Sequence, residues 1–99
     1  MNVRDYYKIV IDSVSRITGV GEIPMILCNR EECVDARSIL IIILLEKGLT
    51  ELEIARQMNV TPQCVNRLKN KFQERERRWS VINNLNDIRA ELNNDTTGL

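Results

Sequence analysis

Apolar positions recur at helical spacing along nearly the whole chain, and the interruptions fall on residues suited to caps and turns. Within residues 3–18, Tyr7, Val10, Val14 and Ile17 share one face while Lys8, Asp12 and Arg16 lie away from it. That predicts an amphipathic helix with Tyr7 in the core and Tyr6 a partly exposed neighbour, rather than a pair of rings for stacking bases. Gly19 is placed to end this helix in a left-handed cap. Residues 19–28 contain Gly21 and Pro24 and read as a connection, with Ile23, Met25 and Leu27 tucked under the bundle. Asn29 and Glu32 have the spacing of a capping box for a helix over residues 30–47, which Gly48 stops. Residues 39–45 are apolar on nearly all sides, so this helix is expected at the centre of the molecule. A bilayer span needs about 20 such residues, so this run is too short to cross a membrane.

The pattern becomes more specific over residues 49–72, LTELEIARQMNVTPQCVNRLKNKF. Thr50 is a start signal, with Glu51 and Glu53 favoured near the positive end of the helix that follows. Ile54 and Met58 fall on one face, and Ala55 is small enough for a close helix crossing. Asn59 stands where the backbone needs a left-handed residue, and Val60 plugs the corner. Thr61 is a second cap, followed by Pro62 at the first helical position. Val65, Leu68 and Phe72 then point back at the preceding helix. Together these features predict a helix-turn-helix.

The outer face of its second helix carries the chemistry. Gln63, Asn66, Arg67 and Asn70 present amides and a guanidinium, the groups that match base edges bidentately. Lys69, Lys71 and Arg75 flank them as expected phosphate contacts, with Arg30 and the amide end at Thr61 as further ones. The bland alternative is a solvated face in an all-helical protein.

Residues 73–79 are heavily charged and continue this helix for a further turn or two. Ser80 is placed to cap a last helix over residues 80–93, with Trp79 as a staple against it. Its stripe of Val81, Ile82, Leu85, Ile88 and Leu92 either folds back on the bundle or, through Ile82, Leu85, Ile88 and Leu92, pairs two copies of the chain. Folding back is favoured, because a domain of 99 residues needs the buried area. Residues 94–99 read as a frayed polar tail.

Length, few aromatics and little proline predict one all-α domain over residues 1–99, a compact helical bundle. The formal net charge is zero, unlike most nucleic-acid binders, but the charges are segregated. Over residues 31–53 six acids face two bases; over residues 61–79 six bases (Arg67, Lys69, Lys71, Arg75, Arg77, Arg78) face two acids. A basic side of that kind binds phosphate locally, with a shallower salt response than a wholly basic domain. Three cysteines and no export-type N-terminus indicate reduced thiols and a cytoplasmic protein. With no histidine and no second cysteine pair, a metal or other cofactor is not expected. Catalysis is not expected either: Cys64 lies near a helix start but lacks a base to activate it, and reads as a small packing residue.

Residues 14–85 resemble the C-terminal DNA-binding domain of the bacterial replication initiator DnaA, a helical domain of the Trp-repressor-like superfamily. The resemblance rests on Asp35, Ala36 and Arg37 leading into the buried helix, and on Thr50, Glu53, Ile54, Arg56 and Met58 within LTELEIARQM. Where that family carries a Gly-rich turn and an acid-His-Thr-Thr-Val run, this chain has MNVTPQCV, one residue shorter, keeping Val65. The family's basic loop corresponds to residues 28–33, with Arg30 its single base. The resemblance implies a stand-alone relative that binds duplex DNA in transcription or replication control, without a nucleotide-hydrolysing module. A non-catalytic interaction module using the last helix is the alternative.

Overall fold

A computed structural model describes residues 2–94, with backbone only at Asn94. It is all-helical: α1 (Val3–Thr18), α2 (Glu22–Leu27), α3 (Glu31–Glu46), α4 (Glu51–Met58), α5 (Pro62–Arg75) and α6 (Trp79–Asn94). No helix is long and apolar enough to cross a membrane among these residues. Of the tail expected at residues 94–99, Asn94 is the last residue of α6 and residues 95–99 lie outside the described residues.

α3 is the axis. Its side chains Ile39, Leu40, Ile41, Ile43 and Leu44 are at most 1% exposed, and α1, α2, α4, α5 and α6 all pack on it. A helix apolar all round is stable in water only when neighbours cover every side, which is what the other five provide. Its start differs from expectation: Arg30 is the N-cap and no side chain caps it, so the Asn29–Glu32 capping box does not form. Glu31 and Glu32 in the first turn offset the free amides by charge instead.

α1 is capped by Asn2, whose Oδ1 accepts the Asp5 N–H at 2.8 Å, and ends at Gly19 in the left-handed region, φ 76°. Its buried face runs through Tyr6, Val10, Ser13 and Val14. The two tyrosines are therefore exchanged relative to expectation: Tyr6 is buried and Tyr7 half-buried. α1 is covered by α3 and α6 and also touches α2 and α4, so its buried stripe is wider than a single-faced pattern and takes in Tyr6. The Tyr6 hydroxyl is buried without a hydrogen-bond partner among the described residues. Tyr7 faces Glu22 of α2, and burial, then that carboxylate, pushes its pKa up to about 12.

The connection after Gly19 is partly a helix. In α2 Pro24 is the third residue, where its missing N–H leaves no intrahelical bond unmade. Helical rather than extended spacing separates the apolar residues: Met25 is buried, Ile26 packs against the core, and Ile23 and Leu27 are 73% and 74% exposed. They do not tuck under the bundle. The buried Arg37 of α3 donates from Nε to Met25 O at 2.7 Å and from Nη2 to Cys28 O at 2.5 Å, satisfying the carbonyl end of α2.

α5 stops at Arg75, and α6 begins at Trp79 without the expected Ser80 cap; Ser80 lies inside the helix. Trp79 is 78% exposed and does not staple the helix start. α6 folds back onto α1 and α3, burying Val81, Leu85, Ile88 and Leu92. Three of the four residues considered for pairing two copies are therefore consumed inside one chain, with Ile82 half-buried. Polar contacts strap the fold-back: Glu91 accepts from Ser13 Oγ and, at 2.8 and 2.9 Å, from the Arg16 guanidinium. Arg89 pairs with Glu46, its Nε at 3.0 Å.

Candidate nucleic-acid interface

α4 and α5 form the helical pair expected at residues 49–72. Thr50 accepts the Glu53 N–H at 3.1 Å while Glu53 Oε1 accepts the Thr50 N–H at 2.8 Å, a complete capping box. Ile54, Ala55 and Met58 are buried. Asn59 ends α4 at φ 58°, ψ 45°, the left-handed conformation that asparagine tolerates. The Val60 N–H then returns to Ala55 O at 3.0 Å, and the Val60 side chain packs against the core. Thr61 Oγ1 accepts the Cys64 N–H at 3.1 Å and Pro62 opens α5. Val65, Leu68 and Phe72 are its buried face.

With those three held inward, the opposite face must point to solvent. Gln63, Asn66, Arg67, Asn70 and Lys71 are all exposed. The side chains of Gln63, Arg67 and Lys71 make no hydrogen bond or ion pair among the described residues. Asn66 and Asn70 do. The Asn66 amide donates to Glu51 Oε1 at 3.1 Å, and its Oδ1 accepts from the Asn70 amide at 3.1 Å. Glu51, in the first turn of α4, also takes the Lys69 ammonium at 2.8 Å. Hydrogen bonds from Lys69 and then Asn66 hold the Glu51 carboxyl below the usual carboxylate range.

The expected phosphate contacts divide into two groups. Arg30 and Lys71 are exposed and their side chains make no hydrogen bond or ion pair among the described residues, and the Asn29 next to Arg30 lines the same open cleft of about 610 Å³ as Lys71. Lys69 and Arg75 are engaged within the protein. Arg75 Nη1 pairs with Asp35 Oδ1 at 2.9 Å, with side-chain exposures of 26% and 14%, and Arg78 contacts both Asp35 and Glu31. Arg75 is thus a tie between α5 and α3 rather than a cation facing outward. The Thr61 hydroxyl is used as a cap, although its residue is exposed.

Glu51 and Asp35 are what sequence reasoning missed. Glu51 precedes Asn66 by 15 residues and Lys69 by 18, and Asp35 precedes Arg75 by 40. Only the crossing of α4 and α5, and of α3 and α5, brings them together. The segregation of acids before residue 54 and bases after residue 61 was the available signal, since opposite charges on packed helices tend to meet.

The described residues contain no group of three metal-ligating side chains. Comparison of the chain with protein-family models, with curated proteins and with solved structures returned no match, so the resemblance to the DnaA domain rests on the residues that carry it.

Proposed function

We propose that this chain binds double-stranded DNA in a sequence-specific manner through α5, as a non-catalytic regulator of transcription or replication related to the DnaA C-terminal domain. The single observation that supports this most is the unpaired, exposed set Gln63, Arg67 and Lys71. It lies on the outward face of a helix whose start is fixed by Thr61 and Pro62 and whose inner face is locked in the core. Such a helix presents its early turns to a major groove at a defined angle.

Roles follow from the hydrogen bonds. Arg67 is suited to the O6 and N7 of guanine, and Gln63 to adenine. Asn70 has its Oδ1 and a second amide hydrogen left for the N6 and N7 edge of adenine. Asn66 spends one amide hydrogen on Glu51 and its carbonyl oxygen on Asn70, which makes it a positioning residue for Asn70. Lys71 and Arg30 hold phosphates; Lys69 joins them only by leaving Glu51. Weighing against the interaction-module alternative, Leu85, Ile88 and Leu92 of the α6 stripe are buried within one chain, with Ile82 half-buried.

The test is selection of bound duplexes from a random pool, followed by a salt titration of the winner. The reading predicts an enriched motif and a modest slope of log affinity on log salt, about −2 for the two phosphate-holding cations Arg30 and Lys71 at about −0.9 each, and about −3 where Lys69 leaves Glu51 to join them. A pool that stays random through repeated rounds contradicts it.

A further inference from the structure

Cys28 and Cys33 have no part in the proposed DNA contacts, yet the fold brings their sulfurs together. Cys28 closes α2 and Cys33 lies in the first turn of α3. The two thiols lie close enough that each perturbs the other's titration, and Cys28 Sγ accepts the Arg30 N–H at 3.5 Å. Arg37, by holding the carbonyls of Met25 and Cys28, fixes the loop in which this happens. The pair is asymmetric: Cys28 is half-buried and Cys33 only 5% exposed. The Arg30 amide, then the Cys33 thiol, hold Cys28 below the ordinary thiol pKa, while burial, then the neighbouring Cys28 thiol, pushes Cys33 up. A more accessible, more readily ionised thiol beside a shielded one is the arrangement of an attacking and a resolving cysteine.

We propose that Cys28 and Cys33 form a reversible dithiol–disulfide site that reacts with small-molecule disulfides such as oxidised glutathione. The Cys28 thiolate attacks one glutathione sulfur, forming a mixed disulfide and releasing the other glutathione as thiolate. Cys33 then loses its proton to solvent and attacks Cys28 Sγ, expelling the second glutathione thiolate. The protein gives up two electrons and two hydrogens, and one oxidised glutathione becomes two reduced ones. The resulting ring encloses Asn29, Arg30, Glu31 and Glu32, so it constrains the loop that carries Arg30.

The full chain is equilibrated with oxidised and reduced glutathione at neutral pH, acid-quenched and mapped after trypsin, which cuts after Arg30 and separates the two cysteines unless they are bonded. The expected result is a chain lighter by two hydrogens, with the Cys28 and Cys33 peptides linked and Cys64 left as thiol. Cys64→Ser leaves this unchanged, Cys28→Ser abolishes it, and Cys33→Ala accumulates a stable glutathione adduct on Cys28. In denaturant the preference for Cys28 over Cys64 is lost. If Cys33→Ala loses helicity, Cys28→Ser and the denaturant comparison carry the test. Glutathione adducts that persist on the wild-type chain, linkage through Cys64, or equal reaction of all three cysteines in the folded chain would each overturn the proposal. None of these readouts involves DNA, so the site stands or falls apart from the proposed function.

Discussion

Glu51 is the residue on which the outer face of α5 turns. Its carboxylate holds Asn66 and Lys69, so it orients one side of the face and withholds a cation from it. Replacing it with alanine is expected to free Lys69 and remove a negative charge near the DNA. Affinity for any duplex at low salt should rise, the salt slope should steepen by about one unit per added phosphate contact, and the preference for the selected site should fall. Fluorescence titrations of the selected and a scrambled duplex measure all three. Glu91 has a different task, tying α6 to α1. Hydrogen bonds from Arg16 and then Ser13 hold its pKa below the ordinary 4.5. A carboxylate with a lowered folded-state pKa contributes stability that is fully present above its unfolded value and lost as the pH falls through the folded one. Denaturation midpoints should therefore drop as the pH is lowered below about 5. In Glu91→Gln the drop should be smaller and the chain less stable at neutral pH; an unchanged acid profile would count against the tie.

At the scale of the elements, the parts legible in the sequence were those whose chemistry is local. Gly19, Asn59, Thr50 and the pair Thr61–Pro62 announce helix ends because each acts on amides or backbone angles within a turn of itself, and all four do so in the structure. The misreadings came where a local signal met a tertiary one. Gly21 and Pro24 suggested a loop, but packing on α3 makes residues 22–27 a helix and leaves Ile23 and Leu27 outside. Tyr6 and Tyr7 are adjacent, and which one is buried depends on how many neighbours cover α1, which its own periodicity does not tell. The Asn29–Glu32 pattern gave no capping box, because α3 starts one residue later, with Arg30 as its N-cap. Of the site, the exposed amides and guanidinium were legible from period alone, whereas the diversion of Lys69 and Arg75 required knowing which helices cross. A capping box contributes stability that a single substitution removes. Thr50→Ala should cost about 1 kcal/mol by urea denaturation, with the slope on denaturant unchanged; a cost indistinguishable from zero would mean the box is not formed in solution.

For the whole molecule, the consequential feature is the return of α6 onto α1 and α3. It completes the cover on α3 and removes the stripe that otherwise invites a partner. Leu85 is 0% exposed, so Leu85→Ala should destabilise the chain by about 2 to 5 kcal/mol, as for a truncated core leucine. Light scattering should report the same mass for the wild type and the variant under folding conditions. Were the stripe an interface instead, the mass would change and the unfolding energy would depend on protein concentration. The zero net charge is compatible with the proposed DNA binding because Arg67 and Lys71 on α5 are exposed and make no ion pair among the described residues, while Lys69, Arg75 and Arg78 and the acids Glu51, Asp35 and Glu31 neutralise one another inside the fold. The central claim is that α5 reads bases. It is met most directly by the ratio of affinities for the selected and a scrambled duplex, measured for the wild type and for Arg67→Ala at one salt concentration. The account predicts that Arg67→Ala lowers this ratio by about 1 to 3 kcal/mol while binding to the scrambled duplex barely changes. An equal loss on both duplexes would contradict it.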